Sequence, residues 1–98
     1  MIPTTHGAFL ESLEGAGPPE HWPKALKALW YAAQGDWEAS HTIAQDLDTP
    51  MGSWIHAYLH RREGDLWNAG YWYRRAGKPV SENSLEAELK VLVEANLG

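Results

Sequence analysis

Residues 33–40 read AQGDWEAS and residues 62–69 read REGDLWNA. In each, a Gly-Asp pair closes one apolar stretch and opens another, and the pairs Gly35-Asp36 and Gly64-Asp65 stand 29 residues apart. The echo extends on both sides. At the same offset Ala28 matches Ala57, Leu29 matches Tyr58, Trp30 matches Leu59, Ser40 matches Ala69, Ile43 matches Trp72 and Pro50 matches Pro79. Small residues recur against small, and large apolar ones against large. Self-similarity at a fixed period of 20–50 residues is the mark of stacked supersecondary units. The chain therefore reads as two copies of one unit, 23–50 and 52–79.

Each unit reads as two helices. Advancing about 100° per residue, Trp54, Ile55, Tyr58 and Leu59 fall on one arc of about 140°. Leu26, Leu29, Trp30 and Ala33 form the matching stripe in the first copy, with Trp22 extending it. Pro23 suits a first helical turn. Gly35 and Gly64 are placed to end each first helix, because glycine tolerates the left-handed position past a helix C-terminus. Asp36 and Asp65 follow at once as N-caps of the next helix. The second helices are expected to bury Ala39, Ile43, Ala44 and Leu47 in one copy, and Leu66, Ala69, Tyr73 and Ala76 in the other. Pro50 and Pro79 are read as closing the units.

Outside the repeat, residues 5–15 predict a short helix with Phe9, Leu10 and Leu13 inward, and GAGPPEHWP (15–23) predicts a turn-rich connector. Residues 81–97 predict an amphipathic C-terminal helix with Ser81 as N-cap and Val80 and Leu85 as a hydrophobic staple. No segment alternates with period two long enough for a strand. The expected fold is all-α, about six helices, a single domain with the two terminal helices capping the stack.

The second copy carries a resemblance. GDLWNAGYWYRRAGKP (64–79) resembles the second half of a tetratricopeptide repeat, with Asp65, Ala69, Tyr73, Ala76 and Pro79 at that family's positions and Ala57 at its small first-helix position. The likeness covers about residues 23–79. The first copy departs from the pattern at Ala44 and Leu47, and the 29-residue period is shorter than the family's 34. The resemblance implies a helical protein-interaction module, with a short acidic peptide tail as a natural ligand for a basic groove.

Composition narrows the function classes. The chain has 98 residues, 44% of them apolar, and six Trp. Each buried aromatic removes on the order of 150–250 Å² from water, so a small domain can compensate for its size with Trp. There is no Cys, which removes disulfides, thiolate metal sites and cysteine nucleophiles. MIPTTHGAFLESLEG lacks a basic region followed by an apolar run, so no signal peptide is expected and the expected location is cytoplasmic. No apolar run approaches membrane-spanning length. A formal net charge of −5 argues against a nucleic-acid partner, which needs a basic footprint.

Three groups carry chemistry. His56, His60 and Glu63 fall within roughly a 60° arc of one helix, the spacing at which histidines at i and i+4 hold a divalent metal from one face. The competing reading is a solvated polar stripe. His21 and His41 are isolated in sequence, and nothing there says whether they approach His56 or His60. Trp67, Tyr71 and Arg74 share an arc of about 60° on the second helix of the second copy, with Arg74 placed to lie over Tyr71. Either the C-terminal helix covers these residues or they form an interface, since Trp, Tyr and Arg dominate binding hot spots. Arg61, Arg62 and Arg75 are candidates for gripping an anionic group.

Catalytic motifs are missing: there is no G-x-S-x-G, and the prolines of GAGPPE remove the N–H donors a phosphate loop requires. The expectation is a non-enzymatic, cofactor-free module that binds a protein segment or a second copy of itself. The alternative is a small-ligand or metal-binding protein using His56, His60 and Glu63.

Overall fold

The structure is a computed structural model describing residues 2–98. Its helices are α1 (His6–Ser12), α2 (Lys24–Ala33), α3 (Trp37–Gln45), α4 (Pro50–Arg62), α5 (Leu66–Ala76) and α6 (Leu85–Glu94). No strand occurs among the described residues, and no helix is long and apolar enough to cross a membrane. The described residues form an all-α fold of six helices.

The two Gly-Asp pairs build the same turn. Gly35 and Gly64 adopt φ of 83° and 85°, where a side chain would be strained. In the first, the Gly35 N–H donates to Ala32 O and the Asp36 N–H to Tyr31 O; in the second, Gly64 donates to Arg61 O and Asp65 to His60 O. That double bond pattern is a Schellman cap, which satisfies carbonyls the ending helix leaves bare. The Asp36 carboxylate then accepts from Ala39 N, and the Asp65 carboxylate from Asn68 N. Three-residue connections of this kind fold α2 back against α3, and α4 back against α5.

Small residues let these helices approach. Ala28 and Ser40 in the first hairpin, and Ala57 and Ala69 in the second, are all buried. The main core gathers Phe9, Trp22, Leu26, Leu29, Trp30, Ile55, Tyr58, Leu59, Leu92 and Val93. A second cluster of Ala57, Ala69 and Tyr73 sits between α4 and α5, flanked by Trp54 and Trp72. Polar ties fix the seams: Trp37 Nε1 donates to Leu59 O at 2.7 Å, and Arg62 Nη1 to Ala32 O at 2.8 Å.

Several expectations are corrected. Pro50 does not close the first unit; it is the first residue of α4, behind the Thr49 N-cap, because its missing N–H costs nothing there. The C-terminal helix is capped by Ser84, not Ser81. Ser81 instead accepts from Asn83 N, and Val80 is exposed, so no staple forms. The later start is set by Arg61, whose guanidinium binds both Asn83 O and the Glu88 carboxylate and holds residues 81–83 outside the helix. Leu10 and Leu66 were expected inward but are exposed. Leu66 has the right helical phase, yet it stands one residue past the turn, where α4 has already ended.

One close approach predicts a measurable asymmetry between glycines. A Cβ on Gly52 would fall 2.3 Å from Leu47 O and 2.5 Å from Leu47 Cβ, whereas one on Gly70 would meet only Arg74 Nη1 at 3.7 Å. Gly52→Ala should therefore destabilise by about 1–3 kcal/mol through overpacking, and Gly70→Ala, within α5, should stabilise by roughly 0.5–1 kcal/mol. Thermal melts of the two variants moving in the same direction would contradict this.

Candidate functional site

A cluster of three histidines forms where α3 meets α4. His56 and His60 lie one turn apart on α4, as their spacing predicts, and the third member is His41 from α3. Its Nε2 lies 2.9 Å from His56 Nε2. One nitrogen from each of the three rings lies within 4.8 Å of the others. Ring centroids are separated by 4.5 Å (His41–His56), 4.8 Å (His56–His60) and 5.6 Å (His41–His60).

Two tryptophans wall the cluster. Trp37 stacks on His41 at 4.6 Å and 10°, and Trp72 stacks on His56 at 3.9 Å and 13°. The far side of Trp72 is covered by the Arg75 guanidinium, 5.1 Å from the ring centroid. These contacts leave His56 only 6% exposed, and its Nδ1 is buried without a hydrogen-bond partner among the described residues. Burial, together with the nearby His41 and His60, lowers the His56 pKa to about 4. Burial also lowers that of His41, with His60 adding to the effect and Glu63 and Glu38 opposing it. Near neutral pH both rings are therefore uncharged, the form in which imidazole is a ligand.

Glu63 contacts His60, one turn before it on α4. Its Oε1 lies 2.7 Å from His60 Nδ1 and fixes that ring's orientation. In a second group of potential donors, His60, Glu63 and Asp65, the Asp65 carboxylate caps α5. Asp65 accepts from both the backbone and the side-chain nitrogen of Asn68, at 3.2 and 2.6 Å, which holds its carboxyl below the usual range.

The sequence points to His56 and His60 but not to His41. Its only indication is the neighbouring Ser40, a small residue marking close helix approach, which places His41 at the edge of a helix seam. An apolar groove of about 520 Å³ between α1 and α6, lined by Phe9, Leu10, Leu13, Leu89 and Val93 among others, shares no residue with the histidine cluster.

The aromatic group on α5 is open. α6 packs against α1, α2 and α4 and reaches α5 through the Tyr73–Glu88 hydrogen bond, so it does not cover Trp67. Trp67 is 78% exposed, Leu66 67% and Tyr71 38%. Arg75, rather than Arg74, lies over Tyr71, its guanidinium 6.0 Å from the ring centroid and Nη1 3.3 Å from the hydroxyl. The reason is phase: residue 75 is one full turn beyond 71. Arg74 is exposed beside them.

Arg61 and Arg62 are tied to the chain's own groups. Arg61 pairs with the buried Glu88 at 2.8 Å, and Arg62 caps the α2 carbonyl of Ala32. Of the four arginines considered from sequence, only Arg74 and Arg75 belong to the open face. Compared with protein-family models, curated proteins and solved structures, the chain matches none.

Proposed function

We propose that this chain is a non-enzymatic, tetratricopeptide-like interaction module whose outward α5 face binds a protein segment carrying apolar anchors flanked by acidic residues. The observation that carries this reading is the exposure of Trp67 and Tyr71 on the side of α5 that the C-terminal helix leaves open, with Leu66 also exposed at the start of the helix. Small monomers seldom expose contiguous aromatic surface without a use for it. The scaffold reading is supported by the two turns, which repeat the same bonds 29 residues apart. The preference for an acidic partner rests on Arg74 and Arg75, which give this one face a positive edge on a chain of formal net charge −5. Arg75 is held over Tyr71 and Trp72 before binding, which reduces the side-chain entropy lost on association.

A photo-crosslinking amino acid placed at position 70, which has room for a side chain and keeps Trp67 in place, tests the face directly in cells of the source organism. One discrete adduct is expected, and it should be lost when Tyr71→Ala and Arg75→Ala are added. Trp67→Ala should weaken binding of that partner by on the order of 30-fold, the scale of a hot-spot residue. The same variant should leave the melting temperature nearly unchanged, because the side chain is on the surface. An adduct of twice the chain mass would make the partner a second copy. No adduct beyond those from a probe at Thr42 on α3 would end the proposal.

A further inference from the structure

We propose that His41, His56 and His60 form a binding site for one divalent transition-metal ion of the zinc class. The inference goes beyond the interaction reading and is independent of the α5 face.

The donor set selects the ligand chemistry. Three imidazoles, with no thiolate available, suit zinc and its first-row neighbours, whereas calcium and magnesium require oxygen. The three donors are already gathered, and small movements bring them to bonding distance. Two nitrogens bound at about 2.0–2.1 Å to a tetrahedral ion stand roughly 3.3 Å apart. His41 Nε2 and His56 Nε2 are already at 2.9 Å, so a separation of a few tenths of an ångström admits the ion. The third ring has its nitrogen within 4.8 Å of both and comes from the helical turn that follows His56.

Two further features fit a metal site better than a chance contact. Glu63 holds His60 by its Nδ1, leaving Nε2 as the free donor. A carboxylate on one imidazole nitrogen orients the ring and raises the basicity of the other, the common arrangement behind metal-bound histidines. The rings are also immobilised before binding: Trp37 stacks on His41, Trp72 stacks on His56, and Trp37 is itself anchored on Leu59 O. Three protein ligands leave a fourth position for water or an exogenous group. Because His41 belongs to the first hairpin while His56 and His60 belong to the second, the ion would also clamp α3 to α4.

The test uses the full-length chain, freed of metal with a chelator and then of the chelator, titrated with zinc chloride by calorimetry. One ion per chain is expected, and cobalt(II) should bind with the visible absorption of a four-coordinate ion. His41→Gln and His60→Gln should each weaken zinc binding by at least about 100-fold, and Glu63→Gln by about 10–100-fold. His6→Gln and His21→Gln, outside the cluster, should not change it. Zinc should raise the melting temperature of the wild type but not of His41→Gln. Histidine ring NMR of the unmodified protein covers the case of a variant that misfolds: zinc should shift His41, His56 and His60 alone. Absence of heat at micromolar zinc, binding undiminished in His41→Gln, or shifts confined to His6 and His21 would each overturn the proposal. The His41–His56 contact would then be an ordinary hydrogen bond between two neutral rings.

Discussion

Deletion of residues 81–98 is expected to abolish cooperative unfolding. Leu92 and Val93 on α6 are fully buried against a core that includes Phe9, Leu26 and Leu29 from α1 and α2. Burying each such side chain contributes roughly 1.5–3 kcal/mol, and the half-buried Leu85, Leu89 and Leu97 add to this. A domain of this size has a total stability of about 5–15 kcal/mol, so the loss is comparable to the whole. The physical cause is general to stacked hairpins. Each buries one face against a neighbour, and two units alone leave an apolar face uncovered. A truncated chain with a sharp melt at the wild-type temperature would show that α6 is dispensable.

The second large effect is expected at Glu88. This carboxylate is only 2% exposed and is the meeting point of three helices. It accepts from Tyr73 Oη on α5 at 2.5 Å, from Trp54 Nε1 on α4 at 3.2 Å, and from Arg61 Nη1 on α4 at 2.8 Å. Burial, together with the hydrogen bond to Glu88, pushes the Tyr73 phenol well above its ordinary pKa. Glu88→Ala would leave the part-buried Arg61 guanidinium without its counter-charge and the Tyr73 and Trp54 donors without their acceptor. Breaking a buried ion pair from one side costs about 3–5 kcal/mol, and that loss is expected in chemical denaturation. Replacing Arg61 by Met together with Glu88 by Leu should recover the part due to the uncompensated charge, while the Tyr73 and Trp54 donors stay without their acceptor. A single variant within 1 kcal/mol of wild type would show that the network is not held as the structure places it.

Glu88 also shows why part of the fold escaped the sequence. On α6 it follows Leu85 by three positions and precedes Leu92 by four, so it shares the apolar stripe. A glutamate there reads as solvated edge unless its partners are known, and they lie 15, 27 and 34 residues away in the chain. The same holds for Ser81 and Ser84. Both are acceptable N-caps from local chemistry, and a long-range arginine contact chooses between them.

The site divides in a similar way. His56, His60 and Glu63 were placed on one helical face by spacing, and the structure keeps His60 and Glu63 in contact. The partner that completes the cluster comes from another helix, which periodicity within one helix cannot reveal. For the aromatic face, spacing put Trp67 and Tyr71 on one arc, and both are exposed in the structure. Whether they were covered depended on where α6 docked, and the choice of Arg75 over Arg74 depended on a single residue of helical phase.

What the sequence determined by itself was local: helices, Gly-Asp turns, aspartate caps, and the close-packed Ala28, Ser40, Ala57 and Ala69. These follow from backbone preference, side-chain volume and a 3.6-residue period, all of which act within a turn or two of the chain. The tertiary structure alone decided which seams those helices form. It brought His41 to His56, led Arg61 to Glu88 and turned α6 away from Trp67, because such pairings depend on how whole helix faces dock.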